Sequence, residues 1–462
     1  MGIYLNPGNA AFSEAVHSQI YVDKTELISY TNSVLATNQK NICVSRPRRF
    51  GKSITANMLA AYYSKGCQSD TLFKDRKISC SKDYKKYLNT YTTIFLNIQE
   101  FLSRSSNVEE LIQRIRRSLM REIRREYPTI DFYDELDLTE NMKEIYAETN
   151  EPFIIIIDEW DCVIRNSHDQ ALVHKYLQFL HSLFKSEESK SFLALGYITG
   201  ILPIKKIKDE SALNNFQEYT MLDSYPITEY YGFTEKEVKD LCKDYSMDFE
   251  TVKAWYNGYL IDGEHMYNPN SVSQALERHK IDSYWRNTSA FDTINTFITM
   301  NYAGLKDDVM KMLTGGKVRI NTNTFQNDFS IITSKDDALT ALIHLGYLGY
   351  DADRKKSFIP NYEVATAFEL ALQTGSWKEI AESISKCDEL LDETIDGNAE
   401  RVAELIELAH ETYTSILKYN DENALSCVLT MAYFTAPAYY NVIREMPSGK
   451  GFADFVFLPR AN

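Results

Sequence analysis

The sequence predicts an α/β fold organised on a buried parallel sheet, and three observations predict it. Short apolar runs of strand length recur at Asn41–Ser45, Thr92–Ile98, Phe153–Ile157 and Phe192–Ile198, without the alternation of a half-exposed strand. Segments of helical period lie between them: Leu111, Ile115, Leu119 and Ile123 share one face, and Leu172, Val173, Tyr176, Leu177, Leu180 and Phe184 form another stripe. A loop at the first strand-to-helix junction is marked by Pro47 and Gly51 and followed by Ile54, Met58 and Ala61 at helical spacing.

That loop, Arg46-Pro47-Arg48-Arg49-Phe50-Gly51-Lys52-Ser53, carries chemistry. A loop ending in Gly-Lys-Ser at a helix start can wrap phosphate with backbone N–H groups, set the Lys52 ammonium against β/γ oxygens and offer the Ser53 hydroxyl to Mg²⁺. Arg46 stands where the G-x-x-x-x-G-K-[ST] pattern wants its first glycine. The loop alone therefore leaves a turn with a solvated lysine open.

Composition bounds the class. At 462 residues the chain has room for two to four domains, at roughly 100–200 residues each. Its net charge of −15 argues against indiscriminate coating of nucleic acid or acidic lipid, although a local basic patch is compatible with it. Seven scattered cysteines, none at C-x-x-C spacing, suit a reducing compartment. No apolar run is long enough to cross a bilayer and the N-terminus has no leader pattern, so a cytoplasmic location without membrane partners is expected.

Taken in order, Tyr21–Ile28 opens a helix with Thr25 as its expected cap. As the segment upstream of the loop, it makes Asp23 a candidate for the adenine pocket, with an ordinary capped helix as the alternative. Asn107 to Tyr127 reads as a long helix bearing Arg114, Arg116, Arg117, Arg121, Arg124 and Arg125. These could meet a phosphodiester backbone or an acidic partner, but interspersed Glu109, Glu110, Glu122 and Glu126 favour a solvated, salt-bridged face.

Phe153-Ile154-Ile155-Ile156-Ile157-Asp158-Glu159 is the second strong signal. A run buried on both faces suits a central parallel strand, and it delivers two acids to the strand's carboxyl end, where α/β sheets bind ligands. Asp158 is expected in the Mg²⁺ shell with Ser53, and Glu159 is expected to polarise the attacking water. Thr199, beside Gly200 at the end of the next strand, stands where an additional-strand P-loop NTPase senses the γ-phosphate; a plain Thr-Gly turn is the alternative. Thr234 and Glu237 make a capping box, Asp262-Gly263 a turn or hairpin. His174 and His181 share a helix face without a third ligand.

With these residues in view the chain resembles the bacterial AAA-ATPase-like family, whose members usually join a P-loop ATPase to a PD-(D/E)XK nuclease-type domain. The resemblance rests on Tyr21-Val22-Asp23-Lys24-Thr25, the loop from Arg46 to Ser53, Ile157-Asp158-Glu159-Trp160-Asp161, Thr199-Gly200-Ile201, Trp255-Tyr256-Asn257-Gly258-Tyr259, Tyr267 to Val272, Tyr284 to Ser289, and Gly346-Tyr347-Leu348. In that family an arginine at the position of Arg46 is a regular trait. The resemblance implies a P-loop ATPase domain over 1–225, a helical lid or winged-helix-like region over 226–350, and a helical segment with an incomplete PD-(D/E)XK-like domain over 351–462. It makes Arg286 one candidate for a second arginine at the nucleotide, and Glu422 and Asp454 remnant metal ligands. The E-x-K strand expected after Asp454 does not follow, so the chain as read is not expected to cut DNA unless it is a truncated copy.

The resulting expectation is an ATPase using ATP and Mg²⁺. Lys52, Glu159 and Thr199 are catalytic; Ser53 and Asp158 hold the metal; Asp23 and the stretch Arg46, Pro47, Arg48, Arg49, Phe50, Gly51, Lys52, Ser53 and Ile54 bind nucleotide. Hydrolysis is expected to move the lid and gate the C-terminal region. A non-hydrolysing ATP-dependent switch and a metal-dependent nuclease are the alternatives, and a DNA or protein partner and a homo-oligomer stay open.

Overall fold

The computed structural model describes residues 2–134, 136–167, 169–204, 213–285, 294–297, 299–300, 302–313, 315–326, 331–374, 378–417, 428–429, 432–433, 436, 440–448 and 451–459. Arg286 and Glu422, singled out above, lie outside the described residues, as does the side chain of Asp454.

The apolar runs become strands β1 (Asn41–Ser45), β2 (Thr92–Asn97), β3 (Phe153–Asp158) and β4 (Leu193–Gly200), joined by a short β5 (Gln217–Tyr219). They form one sheet in the order β2-β3-β4-β1-β5, every pair parallel. Strand β4 therefore stands between the loop-bearing β1 and the acid-bearing β3, which is the additional-strand arrangement. β1, β3 and β4 are buried at every residue, which is why their sequences are continuously apolar and not alternating.

Each face of the sheet has its own core. Ile42, Val44, Ile154, Ile156, Leu195 and Tyr197 pack with the Lys52–Tyr63 helix through Ala56, Met58 and Leu59. Ile54, expected on that buried face, is 48% exposed instead; the helix turns Thr55 and Ala56 inward, because a short Ala side chain lets it approach the strands closely. On the opposite face Cys43, Leu96, Ile155, Ile157 and Ile198 meet the Val108–Glu126 and Gln170–Phe184 helices.

Beyond the sheet the chain is mainly helical, with small sheets inserted. The hairpin Tyr259–Ile261/Glu264–Tyr267 turns at Asp262-Gly263 as its sequence predicts, and Thr234 with Glu237 forms the capping box. The helical segment expected within 351–462 folds as helices Tyr362–Thr374, Lys378–Asp396 and Ala399–Leu417. The stretch that carries Asp454 is a strand, Gly451–Pro459, running antiparallel to Tyr440–Ser448. Among the described residues no helix is long and apolar enough to cross a membrane.

This downstream region is tied directly to the loop at 46–53. Phe50 is fully buried and edge-on to Tyr259 at 5.2 Å, a burial that contributes about 1.5–3 kcal/mol. Arg49 Nη1 donates to the Tyr284 carbonyl at 2.9 Å. Gly346 ends the Lys335–Leu345 helix at φ +85°, and a Cβ there would stand 2.6 Å from the Pro47 ring. Only glycine suits both the left-handed backbone and the close approach.

Candidate functional site

The parallel register lines up the carboxyl ends of four strands. Asn97 lies beside Asp158, Asp158 beside Thr199, and Thr199 beside Val44, so paired residues project to one face of the sheet. Ile156 and Tyr197, two residues before Asp158 and Thr199, pack in the core of the Lys52–Tyr63 helix. The row therefore faces the N-terminus of that helix, and residues about 100 apart in sequence, a P-loop-to-acid interval, meet in space.

Lys52 is the first residue of the helix and is buried; its Nζ donates to the Pro47 carbonyl at 2.9 Å. Burial lowers its pKa, and the nearby Glu159, Asp158 and Asp161 oppose that shift. Ser53 follows at the helix start, with its hydroxyl near enough to Asp158 to lower the carboxyl's pKa. Asp158 is 1% exposed. Its carboxyl is pushed up to about 6, chiefly by burial, with Ser53 and Lys52 acting downward and Glu159 upward. Asn97 Nδ2 donates to its Oδ2 at 3.4 Å and the Glu159 N–H to its Oδ1 at 3.0 Å.

Glu159 takes φ +54°, a conformation that costs a non-glycine residue about 1 kcal/mol or more. The left-handed residue turns the chain off the sheet row. Its carboxylate is held by Arg165, Nη2 to Oε2 at 2.5 Å, while Arg165 Nε reaches Asp161 at 2.9 Å. Burial alone would depress the Arg165 guanidinium, but Asp161 and Glu159 hold it above its ordinary value. Asp161 Oδ2 also accepts the N–H groups of Ile201 at 3.1 Å and Leu202 at 2.8 Å, just past Thr199 and Gly200.

The remaining expected residues separate into two groups. Gly51 stands at φ +86° with nothing within 4 Å of the position of a Cβ, leaving open space above the loop. Thr199 Oγ1 is fully buried and has no partner among the described residues, as a hydroxyl awaiting a ligand would be. Arg48 and Arg49 are exposed on the loop, as is Ile54 beside Ser53.

Arg46 and Asp23 are committed elsewhere. The Arg46 guanidinium is fully buried. It donates to the carbonyls of Ser45 at 2.9 Å and Tyr219 at 3.2 Å and to Ser224 Oγ, and lies over the Tyr231 ring at 5.4 Å. Desolvation brings its pKa down to about 10, opposed by Tyr231, Asp262 and Tyr197. Arg46 thus braces the loop from beneath and ties β1 to β5. Replacing it by Met orphans these acceptors at about 1–3 kcal/mol each, so Arg46→Met is expected to lower the unfolding free energy by about 3 kcal/mol or more, read from the denaturant midpoint.

Asp23 Oδ1 accepts from the Thr25 N–H and hydroxyl, and Oδ2 from Lys77 N at 2.8 Å. Thr25, expected to cap a helix, instead accepts from Ile78 N at 3.1 Å. The helix begins at Leu27 without a side-chain cap.

The reading from sequence gave no role to Asn97, Asp161 or Arg165. Arg165 could have been noticed by its position one helical turn after Asp161; nothing in the sequence marks Asn97 as more than a strand end. The donor set fits a magnesium triphosphate: a buried ammonium, an open left-handed glycine, a hydroxyl-carboxylate pair and an unpartnered buried hydroxyl face one place. Among the described residues no group of three or more His, Cys, Asp and Glu side chains is arranged to hold a bare metal ion.

Residues 9–208 match the family described as Predicted AAA-ATPase. Over that segment, less than half of its length, the chain is similar to the AAA-ATPase-like family. It is also 24% identical over 281 residues, 58% of its length, to an uncharacterized protein in the vnfD 5′ region of Azotobacter chroococcum mcd 1. That match spans half of the relative's own length. Among solved structures it is similar to the Aeropyrum pernix ORC2 protein in ADPNP-ADP complexes, with a TM-score of 0.32 at 12% identity over 77% of this chain and 96% of that one. The Aeropyrum pernix ORC1 protein in complex with DNA gives 0.30 at 12% identity over 81% and 98%. The nucleotide reading of this AAA-ATPase-like segment therefore rests on the family match and the site's own geometry.

Proposed function

We propose that the chain binds ATP with Mg²⁺ at the carboxyl edge of the sheet and hydrolyses it to ADP and phosphate. The observation that carries this reading is the meeting of Lys52, Ser53, Asp158 and the unpartnered Thr199 hydroxyl at one helix N-terminus. Lys52 exchanges its hydrogen bond to the Pro47 carbonyl for β/γ oxygens. Ser53 and Asp158 would hold Mg²⁺, which would supply positive charge against the phosphates. Glu159 takes the proton of the attacking water, and Thr199 donates to the γ-phosphate.

Pro47, Arg49 and Phe50 all touch the region beyond the sheet, so a rearranged loop would move that region. This supports nucleotide-driven motion of the segment over 226–350, with the C-terminal region over 351–462 as its output. A second reading, a switch that binds ATP and turns it over poorly, is favoured by one contact: Arg165 holds the Glu159 carboxylate in an ion pair. Steady-state phosphate release separates the two readings. A hydrolase turns over repeatedly, and a switch stops after about one turnover.

The Asp158 carboxyl also sets a pH dependence. Its folded pKa, about 6, lies above the ordinary carboxylate value near 4. Between those values the folded protein holds a proton that the unfolded chain releases, so this group's contribution to stability falls as pH rises through the window. The anion needed for the metal is depleted below it. Mg²⁺-dependent ATP affinity is expected to fall about tenfold from pH 7 to pH 5, measured with the buffer titration of Mg²⁺ and ATP subtracted.

A further inference from the structure

Two of the four glutamates of the Val108–Glu126 helix, Glu109 and Glu122, are turned away from its arginines. Glu109 pairs with Lys175, and Glu122 turns inward to accept the N–H groups of Ile3, Tyr4 and Leu5 at 3.0, 2.9 and 2.9 Å. Glu110 pairs with Arg114 at 2.5 Å. Arg117, Arg121 and Arg125 are exposed and carry no ion pair among the described residues. With Arg114 they fall in an arc of about 80° on one helix face, and the three span about 12 Å along its axis.

The same chain carries a complementary stripe. On the Ala399–Leu417 helix Glu400, Glu404, Glu407 and Glu411 are exposed, within an arc of about 60° and over about 16 Å. Glu404 is engaged by Arg401 at 2.8 Å; Glu400, Glu407 and Glu411 have no ion pair among the described residues. Set antiparallel, the helices place Arg125 against Glu400, Arg121 against Glu404 and Arg117 against Glu407 and Glu411. Apolar side chains fit the same orientation. Tyr133, 91% exposed, follows the arginine helix, and Ile395, 53% exposed, precedes the glutamate helix.

We propose that the occupant of the arginine stripe is a second copy of this chain, docked through its glutamate stripe. The two patches are different surfaces, so the contact is head-to-tail and leaves one free stripe at each end of a dimer. The net charge of −15 opposes association. At about 0.1 M salt, however, the screening length is about 10 Å, and the touching stripes outweigh charges spread over the rest of the surface.

Sedimentation velocity of the full chain tests this. Wild-type protein is expected to associate at about 50 mM NaCl and to lose at least about tenfold in self-affinity by about 500 mM. The triple variants R117E/R121E/R125E and E400R/E407R/E411R, each checked for folding by circular dichroism, are expected to be monomeric alone. Mixed, they should associate again at equal stoichiometry, because the intact glutamate stripe of the first variant meets the intact arginine stripe of the second and the two reversed stripes also complement one another. A wild-type protein that is monomeric at the lower salt overturns the proposal, a result that needs no variant. So does a mixture that forms no complex, or an arginine variant that still self-associates but loses retention of duplex DNA, which would assign the stripe to phosphodiester backbone.

Discussion

Lys52→Ala is expected to reduce ATP affinity by at least about 100-fold, since it removes a charge-assisted contact made where water is excluded. The size follows from the setting. Lys52 is buried beside Asp158, Glu159 and Asp161, so its deletion leaves a carboxylate-rich site facing a polyphosphate without its ammonium, while Arg165 stays tied to Glu159 and Asp161. The protein should survive the change, because alanine suits a helix and, among the described residues, the Lys52 side chain donates only to the Pro47 carbonyl. Equilibrium binding of a fluorescent ATP analogue measures the loss, with circular dichroism confirming the fold. Affinity within threefold of wild type would remove Lys52 from the site.

Glu159→Gln should separate binding from chemistry. The amide keeps an oxygen that can accept from Arg165 and preserves the volume, so nucleotide affinity should stay within about threefold. Without a carboxylate to take the proton, turnover should fall by about 10²–10⁴. A single-turnover assay with γ-labelled ATP reads the chemical step directly. Turnover at the wild-type rate would mean that the Glu159 carboxylate is not the base, and Asp161 would be the next acid to consider. Because Arg165 holds Glu159 in the structure, the base must leave that ion pair, or share it, to meet the water.

The two predictions draw on parts of the sequence that were unequally legible. Strands β1, β3 and β4 were readable because burial on both faces demands uninterrupted apolar residues. Lys52, Ser53, Asp158, Glu159 and Thr199 could be singled out because each ends or begins an element, where an α/β sheet exposes its side chains. Arg46 was different: its chemistry suited a phosphate, yet its side chain runs inward to carbonyls on β1 and β5. Sequence gives an arginine's charge but not its direction. Asp23 and Thr25 were illegible for a related reason, since the N–H groups they accept from, Lys77 and Ile78, lie 54 and 53 residues away. The arginine stripe shows a third limit. Glu122 looked like a neutralising neighbour until the fold turned it toward the N-terminal backbone, and no local spacing rule reports which face of a helix will be covered by a distant segment.

The central claim is that one helix N-terminus gathers the ammonium of Lys52, the Ser53–Asp158 pair and the Thr199 hydroxyl around a single magnesium triphosphate. Isothermal titration of ATP into the wild-type protein tests it most directly, with and without Mg²⁺. The account predicts a saturable heat at one site per chain, weakened when the metal is chelated. A flat titration at protein concentrations well above micromolar would contradict it.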